Sequence, residues 1–224
     1  MTEMPQTPPA APMPDTSVSA RLREATSVEH RDAESRSFIV QLMTGHLDLD
    51  RYADYLGQFR AVYAALESRE PRPGEPAILG DARLHRGASI DADIRALGGH
   101  PAPALLAATQ AYVDHLTAIA REGDPVRYLA HHYTRYLGDL SGGQIISTML
   151  ARHYGASAEQ LSFYRFEGIE KLVPYKRDYR AAVDAWDLDE DAFAVLVEES
   201  RLAYSFNAAM FDELGADLAA EPAA

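Results

Sequence analysis

At 224 residues, 47% of them hydrophobic, with twelve Tyr, seven Phe and one Trp, the chain can bury one sizeable core and line a pocket. A net charge of −13 argues against nucleic acid or an anionic membrane as a general partner, since both are polyanions, and the lack of cysteine removes disulfides, thiolate catalysis and cysteine-based metal sites. No apolar run approaches the ~20 residues of a membrane span. No basic-then-apolar leader opens the chain, so one cytoplasmic domain is expected, most simply a monomer.

Residues 1–14 hold five prolines without apolar periodicity and read as a disordered tail. The domain is expected over 15–218, with a disordered end over 219–224. Asp15, Thr16 and Ser17 offer caps for a helix running to about Ser35. A short helical piece spans Phe38 to Thr44 and stops at Gly45. Asp48 caps a longer helix with an apolar stripe of Leu49, Tyr52, Tyr55, Leu56, Phe59, Val62, Tyr63 and Leu66. A Pro-rich loop over 71–76 ends it. One or two short helices follow between Ile78 and Leu97, closed by Gly98 and Gly99, then an amphipathic helix from Pro103 to Arg121. After a long helical run from Pro125 to His153 come a connector over Leu161 to Phe166 and helices from Gly168 to Asp184 and Glu190 to Leu214. With no period-2 alternation, hairpin signal or fixed-length repeat, the fold class is all-α.

The run from Pro125 to His153 is interrupted by Gly138, Gly142 and Gly143. Three glycines inside a helix cost on the order of 3 kcal/mol relative to alanine. Gly138 and Gly142 are four apart and share a face, which leaves a bare strip of backbone for a flat group and a place to kink. The plain alternative is that Ser141-Gly142-Gly143 ends one helix and Gln144 begins another.

Among eight histidines, His30 stands at the border of a stripe formed by Val18, Leu22, Ala25 and Ala33. Glu34 follows at i+4, where a carboxylate can fix an imidazole tautomer, and Arg23 lies about 10 Å back along the helix. A partly buried structural histidine is the alternative. His131 and His132 point about 100° apart and do not share a metal. His153 suits a helix C-terminus, and His46, His85, His100 and His115 are expected at loop or surface positions. The only two lysines, Lys171 and Lys176, fall in one segment with Arg177 and Arg180, and this local positive charge suggests an anionic ligand or partner.

Three separated segments resemble one family in the same order. Arg23 to Glu34 resembles the proximal helix of the haem oxygenases, and Tyr133 to Gln144 (Tyr-Thr-Arg-Tyr-Leu-Gly-Asp-Leu-Ser-Gly-Gly-Gln) their distal helix. Phe163 to Ile169 and Tyr175 to Arg180 resemble the segment that holds the haem propionates. Tyr63 to Glu67 and Phe206 to Phe211, including Asn207, fit as well. Agreement runs from about residue 17 to 215 and is nearest to the soluble bacterial members.

The resemblance implies a single-domain helical fold with haem b sandwiched between a proximal helix and a glycine-kinked distal helix. It implies His30 as the neutral iron ligand, held by Glu34, and glycines 138, 142 and 143 as backbone lying over the haem. By the same resemblance Asp139 orients a proton-delivering water, Arg135 and Tyr63 extend its network, and Arg23, Tyr133, Lys176 and Arg180 anchor the propionates, with Asn207 beside the haem. Arg23 stands where many relatives carry lysine, which keeps the charge but changes the reach. The activity implied is cleavage of haem by O2 and electrons to biliverdin, CO and ferrous iron. No Gly-x-Gly-x-x-Gly motif is present, so the electrons are expected from a ferredoxin or a flavin/NAD(P)H reductase. A haem chaperone or buffer without turnover is the competing class, and Asp139 speaks against it. A thiaminase-like relative is disfavoured because those enzymes use a nucleophilic cysteine.

Overall fold

Side-chain caps and glycine stops divide the described chain into ten helices: α1 (Val18–Ala25), α2 (Ser27–Glu34), α3 (Ser37–Thr44), α4 (Leu49–Glu67), α5 (Gly87–Ala96), α6 (Ala107–Glu122), α7 (Pro125–Asp139), α8 (Gly142–Tyr154), α9 (Leu172–Asp184) and α10 (Glu190–Leu214). The computed structural model describes residues 15–99 and 104–218. The expected tail over 1–14, the end over 219–224, His100 and the expected helix start at Pro103 lie outside them. Asp48, Asp124 and Asp189 cap α4, α7 and α10 by accepting from backbone N–H groups two to three residues on, at 2.8–3.0 Å. Gly45, at φ +83°, ends α3 in a left-handed turn that L side chains rarely adopt.

α10 is the spine, packing against α7, α6, α3 and α2. α7 sits deepest: from Tyr128 to Asp139, every residue but Gly138 is buried. The stripe of α4 meets α7 and the connector after α8 through aromatic rings, with Tyr63 and Tyr136 centroids 5.8 Å apart and Tyr63 and Phe163 5.7 Å apart. Among the described residues there is no strand. Nor, among these residues, is any helix long and apolar enough to cross a membrane.

Three expected boundaries move. The first helix is two, hinged at Thr26, whose hydroxyl bonds the Leu22 carbonyl (2.9 Å) that its own N–H also uses (3.1 Å); such competition bends helices. The helix expected from Gly168 begins at Leu172, because Gly168 turns at φ +84° and Pro174 is accommodated in the first turn. The long run from Pro125 breaks at Leu140 and Ser141: Leu140 N–H still reaches the Tyr136 carbonyl (2.9 Å), and Ser141 N–H turns to that of Gly138 (3.2 Å).

Candidate active site

α1 and α2 face α7 and α8 across a cavity of about 640 Å³, floored by α10 and closed at one end by α9. His30 lines it from α2. Its Nδ1 lies 3.4 Å from Glu34 Oε2, and its ring meets Tyr204 edge-on at 5.4 Å. With Nδ1 engaged, Nε2 is the ring nitrogen left for a ligand.

The opposite wall is bare backbone. A Cβ added at Gly138 or Gly142 would meet nothing within 4 Å, so both glycines border open space. Neither has a positive φ, so it is the missing side chain and not backbone handedness that matters there. Gly143 differs. Its Cβ would come 2.9 Å from the Tyr164 ring, so its smallness serves packing beneath α8.

Behind that wall runs a buried polar network. Arg135 donates from Nη2 to Asp139 Oδ1 (3.1 Å), from Nε and Nη2 to the Tyr63 hydroxyl (3.3 and 3.2 Å), and from Nη1 to Asn207 Oδ1 (3.1 Å). Tyr63 donates to Asp139 Oδ2. The Arg135 guanidinium also lies over the Phe59 ring, 4.4 Å from its centre. Burial pushes the Asp139 carboxyl above its usual range, opposed by Arg135 and the Tyr63 hydroxyl. Asp139 and Asn207 line the cavity, while Tyr63 holds the carboxylate from behind. The network places one carboxylate, fixed at both oxygens, beside bare backbone.

At the α9 end, Lys176 donates to Ser141 Oγ (3.1 Å) and Arg180 reaches back to the Lys176 carbonyl (3.4 Å). Neither has a carboxylate within ion-pair distance among the described residues. Arg23 and Tyr133 line the same end. Burial raises the Tyr133 phenol, and neighbouring Arg180 opposes that rise. An imidazole on one wall, an open backbone cradle on the other and cations at one end suit a flat, metal-bearing, anionic ligand.

The "Heme oxygenase" family model matches residues 16–213. The chain belongs to the haem oxygenase family. Across 91% of its length it is 32% identical to the haem oxygenase of Rhodella violacea, of which it covers 89%. The haem oxygenase structure from Leptospira interrogans superposes with a TM-score of 0.83 at 33% identity, over 88% of this chain and all of that one. Haem oxygenase-1 of Synechocystis sp. PCC6803, solved in complex with haem, gives 0.80 at 30% identity over 91% and 95% of the two chains.

The cavity brings together Arg23, His30, Glu34, Tyr133, Arg135, Gly138, Asp139, Gly142, Gly143, Lys176, Arg180 and Asn207 of the residues singled out in the sequence, with Tyr63 one layer behind. Sequence reasoning missed two cavity tyrosines: Tyr55, which read as part of the apolar stripe of α4, and Tyr204 on α10. It also missed the brace beneath α8. Asp93, fully buried on α5, accepts from the backbone of Ser162 (2.7 Å) and Phe163 (2.8 Å), and Arg86 donates to the carbonyls of Phe163 (3.2 Å) and Arg165 (2.8 Å). Gln144 then bonds the Tyr164 carbonyl (2.8 Å). An Asp three residues after Ile90, on an apolar stripe, was the available signal. His115 was expected at the surface; it is instead half-buried against Glu199, because α6 turns that face toward α10.

Proposed function

We propose that this haem oxygenase binds haem b in the cavity through His30 Nε2, with Glu34 fixing the imidazole as its neutral Nδ1–H tautomer. As a member of its family the chain is an oxidoreductase that degrades haem to biliverdin, CO and ferrous iron. The bound haem supplies the iron at which O2 is reduced and the porphyrin edge that is oxidised. The observation that carries the site reading is His30 facing the bare backbone of Gly138 and Gly142, with Asp139 beside it. Gly138 and Gly142 leave room on that wall for the flat face of the porphyrin, and their backbone would border it. Asp139, held at both oxygens, would orient a water that delivers a proton, and Arg135, Tyr63 and Asn207 keep the carboxylate in place. Arg23, Tyr133, Lys176 and Arg180 grip the propionates and so set the in-plane orientation.

Residues 15–218 form the haem-binding domain in this reading. Electrons come from a separate donor, a ferredoxin or a flavin/NAD(P)H reductase, docking near Lys176 to Arg180 as a transient partner of a monomer in the cytoplasm. The test is optical. The haemin complex should show a Soret band that decays under O2 with ascorbate as biliverdin appears, and His30→Ala should alter that spectrum and stop turnover. A Soret band that persists without biliverdin overturns the activity; an unchanged spectrum in His30→Ala overturns the ligand assignment.

A further inference from the structure

Two turns before Asp139 on α7, His131 is fully buried and meets side chains from two other helices. Its Nε2 lies 2.8 Å from Glu199 Oε1 on α10, and the same oxygen receives His115 Nε2 from α6. The two imidazole rings are 5.3 Å apart at 65°. The three donor atoms all lie within 4.8 Å of one another. Around them the surroundings are built. Glu199 Oε2 is held by Arg127 Nε (3.0 Å), itself paired with Glu122 (2.7 Å). His131 Nδ1 faces the Tyr112 hydroxyl at 3.1 Å, and Tyr112 is stacked on Phe206 at 4.7 Å and 5°.

We propose that His115, His131 and Glu199 form a binding site for a divalent transition-metal ion such as Zn2+ or Fe2+. Two imidazoles and one carboxylate, each from a different helix, are a donor set that both ions take. Metal–ligand bonds of about 2.0–2.1 Å at tetrahedral angles put donor atoms roughly 3.3 Å apart. An ion therefore enters by easing the two Nε2 atoms away from Oε1, a shift of well under a side-chain length. In the ion-bound form Nε2 of His131 gives its lone pair to the metal while Nδ1–H donates to the Tyr112 oxygen, so this histidine changes tautomer without losing a proton. Tyr112 then plays the orienting part usual for the outer partner of a metal-bound imidazole. The three protein donors leave a fourth position for water. His115, whose side chain is 19% exposed, stands on the solvent side and marks the way in. Arg127 works against the ion by charge, with Glu122 as its counterweight; affinity is therefore expected to be moderate. An ion here ties α6 to α7 and α10, the helices that carry Arg135, Asp139 and Asn207.

The site does not depend on haem in the cavity, so the haem-free full-length chain serves for the test. Co2+ titration should give ligand-field bands that saturate at one equivalent and are displaced by Zn2+, with a rise in thermal midpoint. His115→Ala and Glu199→Gln should each weaken binding by at least about 100-fold, since loss of outer partners alone costs 10- to 100-fold. His30→Ala, which removes the histidine–carboxylate pair of the cavity, should bind as wild type. Absence of the bands at millimolar Co2+, their persistence in His115→Ala, or their loss in His30→Ala overturns the proposal. His115→Ala removes the ligand nearest solvent and keeps the test open should Glu199→Gln fail to fold.

Discussion

Asp139 and His132 sit seven residues apart on one buried helix and respond to burial in different ways. Burial raises the Asp139 carboxyl while Arg135 and Tyr63 oppose that rise and fix it at both oxygens, a combination suited to orienting a nearby water that delivers a proton. Asp139→Ala should lower biliverdin formation in a single-turnover ascorbate assay by about 100-fold or more, while a haemin titration shows nearly unchanged affinity. Equal turnover would remove Asp139 from the reaction. His132, fully buried against the Tyr179 hydroxyl (2.7 Å), has its imidazolium pushed down to about 3 by burial, from an ordinary 6.5. Between those values the unfolded chain takes a proton that the folded chain refuses. The stability that His132 contributes is therefore complete above pH 6.5 and falls as the pH drops toward 3, by on the order of 1 kcal/mol at pH 5.5. Urea unfolding at pH 7.5 and 5.5 should show that fall in the wild type. His132→Gln should show a smaller one from a lower starting point.

At the scale of the element, the break between α7 and α8 uses its glycines for two different purposes. Gly138 faces open cavity, so Gly138→Leu should fold normally, gaining up to about 1 kcal/mol in helix propensity, yet block haemin by filling the cradle. Gly143→Ala should do the reverse: its Cβ is driven against the Tyr164 ring, costing about 1–3 kcal/mol of overpacking. Thermal midpoints paired with haemin titrations separate the two, and a Gly143→Ala protein as stable as wild type would contradict the packing role. The brace from Asp93 and Arg86 to residues 162–165 explains why this wall keeps its place: the connector hands its order to α8 through Gln144 and Tyr164.

For the whole molecule, a net charge of −13 would repel an acidic electron donor at long range. Productive docking must then depend on local charge at the cavity mouth. Arg177 is the test position, because its side chain is 76% exposed and it belongs to neither the propionate grip nor the proton network. Arg177→Glu should slow ferredoxin- or reductase-driven turnover by about tenfold at 0.01 M ionic strength, where the Debye length is about 30 Å, and by less at 0.1 M, where it is about 10 Å. Ascorbate-driven turnover should not change. A variant that slows both routes equally would place the effect in the haem site, not in docking.

Helix content, the Asp48 cap and the three motif segments were legible along the chain, because caps, glycine stops and i, i+4 faces are set within one or two turns. So were His30, Gly138, Asp139 and Gly142 as candidates, since each motif is a continuous stretch of no more than two adjoining helices, and all four line one cavity. The separate reasons for Gly138 and Gly143 were not legible, nor were the α5 brace and the meeting of His115, His131 and Glu199. That last contact spans 84 residues. It depends on how α6, α7 and α10 cross, which the packing of buried faces decides and no local pattern encodes.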